Sequence, residues 1–129
     1  MVTKQKAREV VLRLIGAVNS GDITVIDQMA DEVFAADYVW HFPGIPDLPP
    51  GPAGMKQMYR GILAGNPDLK FTLEDLLVEG DKTACRCTMR RTDPDSGKSQ
   101  HGWNLVISRF VGDKVAEDWE LISPWEDEG

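Results

Sequence analysis

Cysteine, basic residues and long apolar runs are all scarce in this chain of 129 residues. The two cysteines, Cys85 and Cys87, lie two positions apart, where strand geometry puts them on one face at a spacing that does not favour a disulfide. We therefore expect both to be reduced and partly buried, as is usual in a cytoplasmic protein. Without histidines at ligand spacing, they do not predict a zinc site.

The charge balance is acidic, because the chain has 14 Lys and Arg residues against 21 Asp and Glu residues, which gives a formal net charge of −7. No basic stripe is present, which disfavours nucleic acid and an anionic membrane surface as partners. No window is apolar enough to span a bilayer, and the opening MVTKQKAREVV lacks the apolar core of a signal peptide. Phosphate loops and GxSxG elbows are also missing, so we expect no cofactor, no metal and proton transfer as the only chemistry.

Apolar residues recur at helical spacing in three segments. Thr3 and Asp22 are typical N-caps for the first two helices, and Gly21 is a natural end for the first. A third helix is expected over residues 53–64. The chain length and the lack of a linker or repeat predict a single domain over residues 1–129.

From Leu69 the apolar period changes from helical to two, which predicts strands. The expected strands cover residues 70–79, 83–92, 101–110 and 114–123. Two-residue hairpin turns are expected at Gly80-Asp81 and Gly112-Asp113. The acidic tail, residues 125–129, is expected to fray. This order predicts an α+β fold, with three helices packed on one face of a curved, mainly antiparallel sheet around a cone-shaped cavity.

The stretch YVWHFPGIPDLPPGPAGMKQMY predicts the mouth of a pocket. A short strand ends in His41, and a loop stiffened by prolines follows. An imidazole at this point can donate or accept a proton near neutral pH, or it can simply hold the loop. Side chains that are either pocket walls for a flat apolar ligand or ordinary core are Tyr38, Trp40, Met58, Tyr59 and Trp103.

The last two strands carry the candidate acid–base groups. If Val111 faces Lys114, then one face of the hairpin carries Trp103, Leu105, Ile107, Asp118 and Glu120. Apolar surroundings and a like-charged neighbour raise a carboxyl pKa, which suits a general base. In the alternative, the acids face solvent while Trp119 and Leu121 fill the core.

The first hairpin places Asp75 opposite Arg86. Within a cavity this pair would orient an oxyanion or carbonyl, whereas on the surface it would be an ion pair of little energetic value. His101 begins a strand after a polar turn and is interpreted as structural.

The element order, the stretch quoted above, the hairpin NPDLKFTLEDLLVEGDKTACRCT and the strand GDKVAEDWELI together resemble the SnoaL-like polyketide cyclase family. That family belongs to the nuclear-transport-factor-2-like (NTF2-like) superfamily. The resemblance implies a cone-shaped, cystatin-like α+β barrel and a homodimer formed through the sheet, for which the face bearing Cys85, Cys87, Met89 and Trp119 is predicted.

The resemblance also implies site residues. Glu120 stands where the superfamily has its acid–base residue, more often an Asp, and the family motif carries a histidine at His41. Arg86 matches a strand arginine of limonene epoxide hydrolase, but Thr88 replaces the Asp that this enzyme has two residues on.

We therefore expect a cofactor-independent cyclase, isomerase or hydratase-type lyase acting on a small or polycyclic carbonyl compound. Glu120 would move a proton α to the carbonyl, Asp118 would tune it, and Arg86 or His41 would polarise the oxygen. Since the superfamily also includes epoxide hydrolases and non-catalytic binding modules, an epoxide-hydrolase-like enzyme or a small-molecule-binding module is the alternative.

Overall fold

A computed structural model describes residues 1–45 and 47–128 of the chain. The helices and strands, in chain order, are α1 (Lys4–Ser20), α2 (Ile23–Val33), β1 (Phe34–His41), α3 (Pro52–Gly65), β2 (Lys70–Glu79), β3 (Lys82–Thr92), β4 (Ser99–Val111), β5 (Lys114–Ile122) and β6 (Glu126–Asp127). None of the helices in the described residues is both long and apolar enough to cross a membrane.

The predicted helix ends are confirmed by the capping contacts. The Thr3 side chain accepts a hydrogen bond from the Lys6 backbone N–H at 3.0 Å. Gly21 ends α1 with a left-handed φ of 66°, a conformation that costs glycine little. The Asp22 carboxylate caps α2 by accepting from the Thr24 N–H at 2.9 Å.

The strands form one mixed sheet in the order β1-β5-β4-β3-β2, with β6 paired to β4. β1 runs parallel to β5, and the other pairs are antiparallel. With three helices, this is an α+β architecture. The core lies where apolar residues from the helices, such as Met29 and Met55, meet β-strand residues, such as Phe34 and Phe110. We call the helix-covered face of the sheet the inner face.

The prediction that the tail frays is wrong for residues 125–128, whereas Gly129 lies outside the described residues. Glu126 and Asp127 pair with β4, and the backbone N–H of Glu128 donates to the Ser99 carbonyl at 2.9 Å. The Arg91 guanidinium lies 4.5 Å from the centroid of the Trp125 ring. This cation–π contact and the added strand hold residues 125–128 against the sheet.

A β-bulge corrects the predicted pairing of β4 with β5. Val111 faces Lys114 as predicted, but Arg109 faces Glu117 instead of Ala116. One extra residue in β5 shifts every later pair by one, because side chains alternate with a period of two. The acids of β5 therefore share a face with Asn104, Val106 and Ser108, and the predicted partners Trp103, Leu105 and Ile107 lie on the opposite, outer face.

A second bulge lies between Leu73 and Asp75 in β2. Asp75 faces Arg86 as predicted, but Leu73 faces Cys87 instead of Thr88. The β3 residues turned to the inner face are Thr83, Cys85, Cys87 and Met89. The prediction that Cys85, Cys87 and Met89 belong to an outer, dimer-forming face is therefore wrong. Both cysteines are free and at least partly buried, as predicted.

Candidate active site

The two acids of β5 lie on the inner face, and the indole between them lies outside. Asp118 is only 7% exposed, whereas Trp119 is 39% exposed. The alternative, in which Trp119 fills the core, is excluded by this alternation. We call the side chains that converge here the inner acid cluster: Tyr38, Trp40, Asn104, Asp118 and Glu120.

Asp118 is held by one hydrogen bond, donated by the Tyr38 hydroxyl to Oδ2 at 2.7 Å. Its other oxygen, Oδ1, is buried and accepts no hydrogen bond from the described residues, although Ser108 lies directly across the strand pair. Burial raises the pKa of Asp118 to about 6, against the opposing effects of the Ser108 and Tyr38 hydroxyls. Burial and the Asp118 charge also raise the pKa of Tyr38, which therefore stays protonated as a donor.

Glu120 is held by two donors. The Trp40 indole N–H donates to Oε1 at 3.1 Å, and the Asn104 side-chain amide donates to Oε2 at 3.0 Å. Burial raises the pKa of Glu120, and these two hydrogen bonds oppose the rise. Neither Glu120 nor Asp118 is part of an ion pair among the described residues.

β1 delivers both aromatic donors because it lies beside β5. Trp40 is in register with Asp118, and the alternation along β1 turns Tyr38 and Trp40 to the same inner face. Tyr38 packs on Phe34 with ring centroids 4.4 Å apart. The free edge of β1 is covered by the proline-rich loop, where the Gly51 N–H donates to the Tyr38 carbonyl at 2.8 Å.

A pocket of about 560 Å³ opens beside this cluster, under the loop that follows β1. We call it the aromatic pocket, and its lining residues are Trp40, His41, Phe42, Pro43, Ile45, Asp47, Leu105, Ile107, Trp119, Glu120 and Leu121. Glu120, which is only partly buried, and Trp40 belong to both the acid cluster and the pocket wall. The pocket thus brings together four predicted site residues, Trp40, His41, Leu105 and Glu120.

His41 lies on the outer face, away from the inner acids. Its Nε2 is 2.7 Å from Glu117 Oε2, and its ring stacks on Trp119 with centroids 5.4 Å apart. The Arg109 guanidinium donates to Glu117 Oε1 at 3.1 Å. The hydrogen bond with His41, aided by Arg109, lowers the pKa of Glu117. His41 is therefore an oriented imidazole on the rim of the aromatic pocket.

Arg86 and Asp75 form an ion pair at 2.8 Å on the outer surface, with side chains 45% and 60% exposed. Their predicted position in the cavity is wrong, because the β3 residues Cys85 and Cys87 occupy the inner face instead. Trp103 is 45% exposed and also lies outside the acid cluster. The surface alternative considered for this ion pair is the observed one.

The two α3 residues predicted to line the site are packed against the core. Tyr59 is 7% exposed, and Met58 is partly buried. Burial raises the pKa of Tyr59, and the negative charges of Glu120 and Asp118 add to the effect. Tyr59 is thus close enough to the acid cluster for the charges of the two acids to affect its pKa.

Sequence reasoning missed Asn104, the second donor to Glu120, and the pocket residues Phe42 and Asp47. A signal for Asn104 was present, since pairing Arg109 with Glu117 would have matched opposite charges and revealed the bulge. Among the residues that the structure describes, no three His, Cys, Asp or Glu side chains are grouped so as to hold a metal ion.

The profile of the SnoaL-like domain family matches residues 11–118. The chain belongs to the SnoaL-like domain family. This confirms the resemblance seen in the sequence. None of the curated proteins matches this SnoaL-like chain.

Solved structures of similar proteins share the NTF2-like fold of this SnoaL-like chain. IdmH of Streptomyces antibioticus, a proposed polyketide cyclase, is 28% identical, with a TM-score of 0.77 and 92% of each chain covered. A proposed polyketide cyclase of Acidithiobacillus ferrooxidans is 22% identical, with a TM-score of 0.80 over 95% of this chain and 92% of that one. AclR of Streptomyces galilaeus, a proposed hydroxylase, is 23% identical, with a TM-score of 0.76 over 94% of this chain and 81% of that one. The last two establish the fold alone.

Proposed function

We propose that this SnoaL-like chain is a cofactor-independent acid–base enzyme, a cyclase, isomerase or hydratase-type lyase that acts on a small or polycyclic carbonyl compound. The observation that carries the proposal is the double position of Glu120, which is fixed by Trp40 and Asn104 and also lies in the wall of a 560 Å³ pocket. A carboxylate with a raised pKa that is held in place beside an apolar pocket is suited to proton abstraction.

In the proposed reaction, Glu120 takes a proton from the carbon next to the carbonyl and returns it to the product. Asp118, two residues away on the same face, is electrostatically linked to Glu120, since the negative charge of Glu120 helps to raise the pKa of Asp118. The oxygen that gains charge needs a donor, and Arg86 faces away. We propose His41 for this role, since Glu117 orients its ring on the pocket rim.

Proton exchange tests this proposal without knowledge of the natural substrate. A panel of aromatic ketones is incubated with the protein in D₂O, and loss of the α-proton signal is followed by NMR. We expect exchange above background with the native chain and a loss of about 100-fold or more in Glu120→Gln, the range of a general base. Glu79→Gln, an exposed acid at the end of β2, is the matched control and should exchange normally. Full activity in Glu120→Gln would refute the assignment.

A non-catalytic binding module is the alternative, and one observation favours it. Both oxygens of Glu120 already accept hydrogen bonds, so proton abstraction would have to compete with Trp40 and Asn104. Ketone binding without α-proton exchange would support the module. The epoxide-hydrolase-like alternative loses its basis, because Arg86 pairs with Asp75 on the outer surface.

We further propose a cytoplasmic homodimer formed through the outer face of the sheet, each chain being one cone-shaped domain over residues 1–129. The large apolar side chains exposed on that face are Leu77, Trp103, Leu105, Ile107, Trp119 and Leu121. A continuous exposed apolar face of this kind is typical of a protein interface. Several of these residues also line the aromatic pocket, so the partner would close the pocket from outside.

A further inference from the structure

The aromatic pocket has the composition of a cation site. Three of its walls are aromatic, from Trp40, Phe42 and Trp119, and two of its lining residues, Asp47 and Glu120, are acidic. None of the described lining residues is Lys or Arg. Aromatic faces carry negative potential, and carboxylates add to it in a pocket of low dielectric constant. The potential inside the pocket is therefore negative, and the chain as a whole carries −7.

The acid cluster behind the pocket lacks a positive partner. Among the described residues, the groups that stabilise the ionised forms of Asp118 and Glu120 are all neutral donors: the Tyr38, Trp40 and Asn104 side chains and the Ser108 hydroxyl. Two buried acceptors at this cluster, Asp118 Oδ1 and Asn104 Oδ1, receive no hydrogen bond from the described residues, and their side chains belong to residues 7% and 6% exposed. Buried charge without a counter-charge is costly, so a cation in the adjoining pocket, which shares Glu120 with the cluster, would stabilise the ionised acids.

The one titratable base among the described lining residues does not cancel this field. His41 Nε2 lies 2.7 Å from Glu117 Oε2, so this ring nitrogen is directed at Glu117 and not at the acids of the pocket. Glu117 is in turn bonded to Arg109, which does not line the pocket. The negative potential of Glu120 and Asp47 is therefore left for a ligand.

We propose that the aromatic pocket binds an organic cation, a protonated or quaternary amine carried on an apolar body. The ammonium group lies against the Trp40 and Trp119 rings and faces Glu120, while the apolar body rests on Leu105, Ile107 and Leu121 at the floor. This inference uses the same pocket as the proposed function but requires no turnover.

A matched pair of probes isolates the contribution of the charge. Phenyltrimethylammonium and tert-butylbenzene have the same shape, and only the first carries a charge. Binding of each to the native chain is measured by ligand-observed NMR and calorimetry, and acetophenone is measured in parallel. We expect the cation to bind about tenfold more tightly than its neutral counterpart. Equal affinity of the pair would overturn the inference.

Two charge-removing variants locate the site. Glu120→Gln and Asp47→Asn should each weaken binding of phenyltrimethylammonium several-fold and leave tert-butylbenzene unchanged. Asp113→Asn, in the exposed turn between β4 and β5, makes the same change in net charge at a distance and should bind the cation as the native chain does. If Asp113→Asn weakens binding as much as Asp47→Asn does, the effect is general electrostatics and the inference fails.

The outcomes separate this inference from the proposed function. Acetophenone exchange without cation selectivity would leave the enzyme proposal standing and overturn the cation site. Cation selectivity without any α-proton exchange would leave the cation site standing and overturn the enzyme proposal. If Glu120→Gln does not fold, Asp47→Asn and Trp119→Leu decide the question, since Trp119 is an exposed ring of the pocket and its loss should lower affinity for the cation selectively.

Discussion

Tyr38 and Asp118 are joined by a hydrogen bond of 2.7 Å between side chains 80 positions apart in the sequence. Tyr38 comes from β1 and Asp118 from β5, which lie side by side in parallel. This contact fixes the more deeply buried of the two acids and leaves its second oxygen without a donor from the described residues. Together with the Ser108 hydroxyl, the Tyr38 hydroxyl therefore opposes the rise in the pKa of Asp118 that burial causes.

Removing that hydroxyl should be costly. Tyr38→Phe leaves an ionised carboxylate buried with no side-chain hydrogen bond from β1, so we expect the free energy of unfolding to fall by about 1–3 kcal/mol at pH 8. The pKa of Asp118 should rise above its native value of about 6. Urea unfolding measures the first effect. Tyr59→Phe, which removes a hydroxyl from α3, is the control, and an equal loss in both variants would contradict the account.

Asp118 should make stability depend on pH. Its pKa is about 6 in the folded chain and near the ordinary 3.8 in the unfolded chain. A group with a raised folded pKa stabilises the fold fully below the unfolded value, and this stabilisation is lost as the pH rises through the folded value. Between pH 4 and pH 8 the loss from Asp118 is about 2–2.5 kcal/mol.

The variant Asp118→Asn has no such titration. We therefore expect its free energy of unfolding to fall less than that of the native chain between pH 4 and pH 8, by a margin of up to about 2–2.5 kcal/mol. Groups outside the inner acid cluster titrate equally in both proteins and cancel in the comparison. Parallel pH profiles for the two proteins would show that Asp118 is not perturbed as described.

The start of α3 should be intolerant of any side chain. A Cβ at Gly54 would lie 2.0 Å from the Pro49 carbonyl oxygen, whereas a Cβ at Gly61 would meet nothing within 4 Å. Gly54→Ala should lower the free energy of unfolding, by an amount on the order of 2 kcal/mol or more, and loosen the loop over β1. Gly61→Ala, later in the same helix, should stabilise the chain by up to about 1 kcal/mol. Thermal unfolding of the two variants measures these effects. A change in stability of the same sign in both would contradict the prediction.

The proposed dimer makes a sharp prediction at the centre of the outer face. Ile107 is 48% exposed and is surrounded by other exposed apolar side chains. Ile107→Lys should yield a monomer by light scattering at micromolar concentration, while the native chain should be a dimer. Leu12→Lys makes the same apolar-to-charged change at an exposed position of α1, and this variant should remain dimeric. A monomeric native chain would refute the proposal.

The sequence predicted the elements well because their signals are local. Thr3, Gly21 and Asp22 carry their own capping chemistry, and the Gly80-Asp81 and Gly112-Asp113 turns join their strands as expected. The inward orientation of Asp118 and Glu120 was also predicted. It follows from alternation along β5 together with the burial of the helix-covered face.

Which side chains lie on the inner face of the sheet and which on the outer face could not be predicted from such local signals. Each bulge inserts one residue, and a one-residue shift exchanges the faces of everything beyond it. The predicted register therefore put Leu105 and Trp103 on the same face as the acids. Arg86, which pairs with Leu105, was put on that face for the same reason, but both lie on the outer face. The contacts of His41 with Glu117 and Trp119 were missed for another reason: β1 pairs with β5 by a parallel, long-range contact that no hairpin rule predicts. The inner acid cluster depends on that contact, because β1 supplies Tyr38 and Trp40.

The most direct test of the central claim is a residue-resolved carbon-13 NMR titration of the side-chain carboxyl groups from pH 2 to pH 9. The account predicts an inflection near pH 6 for Asp118 and one above the usual 4.5 for Glu120. Asp93, whose pKa is lowered by the Ser96 hydroxyl, is the internal reference and should titrate below 3.8. Titration of Asp118 and Glu120 at ordinary values, alongside a depressed Asp93, would show that the two acids are solvated and would contradict the account.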